Sequence, residues 1–236
     1  MRRGGGLTGG ILAAGEGSRL RADGWPMPKP LVPVAGVPLL ERVIGNFRAA
    51  EIEPVTIIVN ERGRDCVQWS RTRFPAVDLR FIVKTTGSSL ESFAEVAADD
   101  TPGAMLISTV DAWCHPADFV RFVAAATARP PAATVLAVTP LVADENPVWV
   151  TLDDDGRVRR LGERAGDVVT AGLYLIPEAL RRQPPPRGLE RLRDFLGWLV
   201  ERGDAVYAET IQTVVDVDRA CDVTLAESLG QASRSG

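Results

Sequence analysis

Apolar residues follow two alternating patterns along the chain. Short runs rich in β-branched residues occupy positions 7–14, 54–60, 78–84 and 104–110. Between them, apolar side chains return every three or four positions, as in Leu39, Leu40, Val43, Ile44 and Phe47, or in Phe119, Phe122 and Val123. The first pattern predicts buried strands and the second predicts helices with one apolar stripe. Ser88 followed by Glu91 has the form of a capping box and opens a helix to about residue 98. Such β-α alternation predicts a mixed, mostly parallel, Rossmann-like α/β sheet flanked by helices, with ligands beyond the carboxyl ends of the strands. The turn at Gly15 and Gly17 and the residue Asp111 both fall at such ends.

After about residue 130 the pattern becomes richer in strands. Runs at 133–141, 168–176 and 205–211 read as strands, the last of these as the final one. Residues 149–158 read as a hairpin turning at Asp153 to Gly156. Helices are expected over 189–202 and 219–229, and the Ser/Gly-rich end is expected to fray. Three successive prolines, Pro184 to Pro186, make a rigid connection with only about 50 residues beyond it. One domain over 1–236 is therefore expected, divided into parts of about 1–130, 131–210 and 211–236.

Composition narrows the function. At 45% apolar and 25% charged residues the chain is an ordinary soluble globular sequence. A net charge of -4 gives no basic surface, so nucleic acid is not an expected partner. No apolar run approaches the roughly 20 residues of a membrane span, and the start has no signal-like apolar region. Cys66, Cys114 and Cys221 are widely spaced and His115 stands alone, which argues against a zinc site and for a reducing, cytoplasmic setting. Of the 27 basic residues only two, Lys29 and Lys84, are lysines. Lysine is a compact point charge and arginine a planar fork, so a site built for the first cannot always use the second.

The segment from Gly9 to Leu20 is glycine-rich but matches neither standard phosphate motif. Glu16 stands where a P-loop needs lysine, and Leu20 stands where a dinucleotide fingerprint needs its third glycine. Its small residues still let backbone N–H groups approach an anion, and Arg19 lies just beyond them. Downstream, Pro28 and Pro30 fix the backbone on both sides of Lys29.

Together, Leu12-Ala-Ala-Gly-x-Gly-Ser-Arg-Leu20 and Pro28-Lys-Pro-Leu-Val-Pro-Val-x-Gly-x-Pro-Leu39 resemble the opening signature of the nucleotidyltransferase superfamily, in its sugar-1-phosphate nucleotidyltransferase (NDP-sugar pyrophosphorylase) branch. The resemblance implies a nucleotide-diphospho-sugar transferase-like fold with a small β-rich acceptor-side extension. It implies that Leu12, Ala13, Ala14, Gly15, Gly17, Ser18 and Arg19 wrap a nucleoside triphosphate. Lys29 then reaches phosphate near the reacting centre, and Thr86, Gly87 and Ser88 hold the base. Lys84 only borders that loop.

The same resemblance implies Mg²⁺ held by Asp111 and a second aspartate near the end of the chain. Asp216 is the best match for the second, with Asp218 as a substitute or a helix cap, and Asp222 reads as a solvated helix position. Val110 stands where the family usually has glycine, which puts the local backbone in question. The family's acceptor-side lysine has no counterpart; Arg164 is the nearest cation, and Gly172 matches the acceptor-binding strand. Trp113 and Trp149 could stack on an acceptor, although a partly buried structural place is the first expectation for each.

The function implied is transfer of a nucleoside monophosphate from an NTP to a phosphorylated small molecule, with a sugar 1-phosphate first. Phosphocholine, inositol phosphate, a molybdopterin, or a regulatory role without turnover are the alternatives. Neither base, acceptor nor oligomeric state is encoded in a motif.

Overall fold

The computed structural model describes residues 6–163 and 165–232. Strand β1 (Thr8–Ala13) leads through the Gly-rich turn into the short helix α1 (Ser18–Ala22). The Lys29 segment is one turn of 3-10 helix (Lys29–Leu31), followed by a two-residue hairpin of β2 (Pro33–Val34) and β3 (Val37–Pro38) and by α2 (Leu39–Ala49). Then come β4 (Val55–Val59), α3 (Asp65–Arg73), β5 (Leu79–Val83), α4 (Ser89–Ala97), β6 (Met105–Thr109), β7 (Ala112–Cys114) and α5 (Pro116–Ala128). The second half adds β8 (Thr134–Thr139), β9 (Trp149–Leu152), β10 (Val158–Glu163), β11 (Val168–Ile176), α6 (Glu178–Arg181), α7 (Leu192–Glu201), β12 (Val206–Thr210), β13 (Val214–Asp216) and α8 (Ala220–Ala232).

Nine strands form the main sheet, in the order β10-β9-β11-β6-β1-β4-β5, with β8 also paired to β11 and β12 paired to β8. Strands β6, β1, β4 and β5 are mutually parallel, as the β-α alternation predicts. The reversal comes at β11, which runs antiparallel to β6, β8 and β9. Helices cover both faces. On one, Phe47 of α2 meets Phe119 of α5 edge to face at 5.2 Å, within a core that includes Val215 and Ala226. On the other, Phe93 of α4 packs 5.6 Å from Phe195 of α7. Emptying such an aromatic position costs about 3–5 kcal/mol. No helix among the described residues is long and apolar enough to cross a membrane.

One small feature that positions the site leaves no pattern in the sequence. Beyond β12, the expected last strand, β13 pairs antiparallel with β7, placing Asp216 opposite Ala112. Three residues are too few to show alternation, so neither strand of this ribbon has a sequence signature. Val217 N–H also donates to the Asp111 carbonyl at 3.1 Å. The ribbon thus carries the chain's end back to the carboxyl edge of β6.

Candidate functional site

The Gly-rich turn and Lys29 are built against each other. Gly17 adopts φ +58, and a Cβ there would lie 2.8 Å from the Lys29 Cβ, so glycine is required twice over at this position. Asn60, at the end of β4, donates through Nδ2 to the carbonyls of Ala14 and Gly15, each at 3.1 Å. These bonds tie the turn to the end of β4. Nothing in the sequence singles out Asn60, because its partners are backbone carbonyls 46 and 45 residues away.

Lys29 is buried, and its ammonium lies 2.5 Å from Asp111 Oδ2 and also pairs with Asp218. Asp218 in turn receives the Arg19 guanidinium at 3.0 Å. Burial alone would lower the lysine's pKa, but the charges of Asp111, Asp218 and Asp216 outweigh it and hold the ammonium charged. Burial would raise the Asp111 carboxyl; the Lys29 charge and hydrogen bonds hold it below the usual carboxylate range. Asp216 forms no ion pair among the described residues, and the Lys29 charge only partly offsets its surroundings. It keeps an open face, yet desolvation by the surrounding protein and repulsion from Asp111 raise its carboxyl well above the ordinary value.

Oxygens of Asp111, Asp216 and Asp218 all lie within 4.8 Å of one another. Mg²⁺ favours one or two carboxylates completed by phosphate oxygens and waters. Asp111 and Asp216 fit that need, since Asp216 forms no ion pair among the described residues and a bound cation would offset the desolvation and the Asp111 repulsion that disfavour its ionised form. Asp218 is already engaged by Lys29 and Arg19. Asp222, read from sequence as solvated, instead caps α8 by accepting the N–H groups of Asp218 and Arg219 at 2.9 and 2.7 Å. That capping frees the Asp218 side chain to face the cations. Val110 gives up nothing as a non-glycine: it is buried, lies outside the set of positive-φ residues, and donates its N–H to the Leu12 carbonyl at 3.1 Å.

Two cavities meet at Asp111. The larger, about 620 Å³, is lined by Leu12, Ala14, Gly15, Gly17, Ser18, Arg19, Lys29, Thr86, Gly87, Ser88 and Asp111. Ala13 is the exception among the residues expected there. Strand alternation turns its side chain into the core, 2% exposed. Ser88 also caps α4, accepting the Glu91 N–H at 3.1 Å, while Glu91 accepts the Gly87 N–H at 2.7 Å, so this loop is pre-shaped.

The smaller cavity, about 230 Å³, contains Gly172 and Asp216. Gly172 has φ +70, and a Cβ there would lie 2.5 Å from Thr109 Oγ1, so β11 can pass this close to the end of β6 only with glycine. Thr109, Asp111, Tyr174 and Arg193 line both cavities. Burial pushes the Tyr174 hydroxyl up to about 12, so it stays neutral.

Arg164 lies outside the described residues. Arg193, near the start of α7, is the cation found between the two cavities, and it forms no ion pair among the described residues. In the sequence it is one of several arginines on the polar side of an amphipathic helix, with nothing to single it out. Trp113 is buried and packs edge-on to His115 at 5.2 Å, and neither it nor Trp149 lines either cavity.

A Gly-rich turn, a buried lysine and close aspartates at the carboxyl edge of such a sheet define the class of nucleotidyltransferase-type α/β domains. The structure of the inositol-1-phosphate CTP transferase from T. maritima matches with a TM-score of 0.82 over 97% of this chain and 96% of that one, at 17% identity, a likeness of fold. The chain belongs to the MobA-like NTP transferase domain family, which matches residues 9–173. A CMP-5'-(3-aminopropyl)phosphonate synthase from Streptomyces rubellomurinus is 29% identical over 77% of this chain and 30% of its own length. A bifunctional IPC transferase and DIPP synthase from Rubrobacter xylanophilus is 30% identical over 95% of this chain and 52% of its own length. The chain thus spans about a third to a half of these curated relatives.

Proposed function

We propose that this chain transfers a nucleoside monophosphate from an NTP to a phosphoryl-bearing small acceptor, with release of pyrophosphate. One observation carries the reading: the Gly-rich turn, Lys29 and Asp111 line one cleft that opens at Asp111 into a second cavity. The larger cavity takes the NTP, with backbone N–H groups of the turn and Arg19 on its outer phosphates and the Thr86–Ser88 loop toward the base. The smaller cavity takes the acceptor.

An acceptor phosphoryl oxygen attacks the α-phosphorus. The new P–O–P linkage forms as the α–β bridging P–O bond breaks, and pyrophosphate leaves with the bonding pair. The attacking oxygen is already ionised near neutral pH, with a second phosphate pKa of about 6, so no general base is required. Catalysis then rests on alignment and on charge placed around the reacting phosphate. Lys29, held charged by its carboxylates, stabilises the negative charge that grows on the α-phosphoryl oxygens. Arg193 at the junction grips the acceptor's phosphoryl group and holds it in line, the task expected from sequence for Arg164. Mg²⁺ bound by Asp111 and Asp216 would neutralise phosphate charge at the same centre.

A sugar 1-phosphate is the acceptor that the sequence resemblance suggests first. The relatives named for a phosphonate and the fold neighbour named for inositol 1-phosphate widen the class to other compact phosphoryl compounds. The test is pyrophosphate release with four NTPs and Mg²⁺ against sugar 1-phosphates, inositol phosphate, phosphocholine, a molybdopterin and aminoalkylphosphonates. Transfer to at least one acceptor is expected. NTP binding without turnover on the whole panel would overturn the reading in favour of a regulatory nucleotide-binding role.

A further inference from the structure

The smaller cavity holds one charge that the transfer chemistry does not use. Asp144, in the loop between β8 and β9, lines this cavity and not the larger one. Its Oδ1 accepts the Asn146 backbone N–H at 2.9 Å, and it forms no ion pair among the described residues. The next residue, Glu145, does pair, with Arg219 at 2.9 Å. That pair links the loop to the segment carrying Asp216 and Asp218.

At the cavity's junction stands the unpaired Arg193, and aliphatic side chains including Leu141, Val148 and Val169 complete the wall. A volume of about 230 Å³ is below the usual range of roughly 300–1,000 Å³ for small-molecule pockets. Beyond the metal-site carboxylates Asp111 and Asp216, the cavity therefore offers a cation, a short apolar wall and one further anion within a compact space.

We propose that the acceptor is a short zwitterion, with a phosphate or phosphonate at one end and a protonated amine at the other, and that Asp144 receives the amine. The proposal rests on the transfer reading above and specifies its acceptor. A neutral acceptor of the same shape strips water from the Asp144 carboxylate and returns no partner, so the site discriminates by penalty as well as by attraction.

The test uses the full chain with Mg²⁺ and the NTP selected by the screen. Pyrophosphate release is compared for aminoethylphosphonate and propylphosphonate, which differ by an ammonium in place of a methyl group. A preference of about ten- to a hundredfold in kcat/KM for the amine is expected, the range for a hydrogen bond to a charged group. In Asp144→Asn, which keeps an acceptor for the Asn146 N–H, KM for the amine rises by a similar factor while propylphosphonate is unaffected. Equal use of the two phosphonates, or a preference that survives in Asp144→Asn, overturns the proposal. So does an equal loss for both acceptors with a raised Mg²⁺ requirement, which would assign Asp144 to the metal. Turnover of a sugar 1-phosphate with neither phosphonate active removes this inference and leaves the transfer reading standing. Silence with every acceptor removes both.

Discussion

The two lysines of the chain each hold two carboxylates, in opposite settings. Lys29 is 6% exposed at its side chain, and its partners Asp111 and Asp218 lie 82 and 189 residues away. Lys84 is 42% exposed, and its partners Glu91 and Glu95, at 3.0 and 2.7 Å, sit on the helix that follows. The first cluster exists only when the whole fold is assembled, in surroundings where little water screens it. The second is a local brace between the end of β5 and α4, open to solvent and salt. Equal chemistry thus yields a preorganised charge at one place and a solvated clasp at the other.

The strongest way to break this contrast is Lys29→Arg. The planar fork is longer than the ammonium stem and must leave a backbone site where Gly17 has no room even for a Cβ, which would lie 2.8 Å from the Lys29 Cβ. Turnover is expected to fall by about a hundredfold or more, the size seen when one preorganised transition-state donor is lost. A melting curve close to that of the parent checks that the fold survives. Near-normal turnover would remove Lys29 from the chemistry.

The next largest effect separates the aspartates. Asp216→Asn takes away the carboxylate that has no cation partner, and turnover should drop by roughly a hundredfold with a higher Mg²⁺ requirement. Asp218→Asn leaves Asp111 and Asp216 intact and weakens only the hold on Lys29 and Arg19, so a loss of about tenfold is expected, mostly in KM for the NTP. The reverse order, read by Mg²⁺ titration of initial rates, would make Asp218 the metal ligand.

A smaller effect is expected from Gly17→Ala. The new methyl group meets Lys29 in a left-handed backbone conformation, at a cost of about 1–3 kcal/mol. A thermal melt reads this as a fall of several degrees, and KM for the NTP rises as the turn shifts. An unchanged melt would mean that Lys29 moves aside freely, against the rigid placement argued above.

These residues also show what a sequence can reveal. Lys29 and the Gly-rich turn are legible because their partners in the motif are close in sequence and their spacing is distinctive. The parallel half of the sheet is legible because buried strands and striped helices alternate. Asp216 is legible only through family resemblance, since the β7–β13 ribbon that brings it to Asp111 has no pattern of its own. Asp222 reads as a solvated helix residue because Arg219, not a serine or threonine, stands three residues before it, so the capping-box pattern is incomplete although its cap bonds form. Arg193 and Asp144 are invisible in the sequence, where each is one charge among many on a helix or loop. Their meaning comes from the walls of a cavity that distant segments close.

The smallest effect is expected at the exposed lysine. Lys84→Ala removes the other lysine and both of its ion pairs. Side-chain hydrogen bonds to Glu95 and Glu91 raise the Lys84 pKa, but all three side chains stay in water and gain little from pairing. The α4 cap at Ser88 and Glu91 remains, because Glu91 still accepts the Gly87 N–H. Turnover is therefore expected within about twofold of the parent and the melting temperature within a degree or two. A large loss in KM for the NTP would mean that Lys84 shapes the Thr86–Ser88 loop for the base. The line between the two lysines would then be one of distance from the reacting phosphate rather than of structure against function.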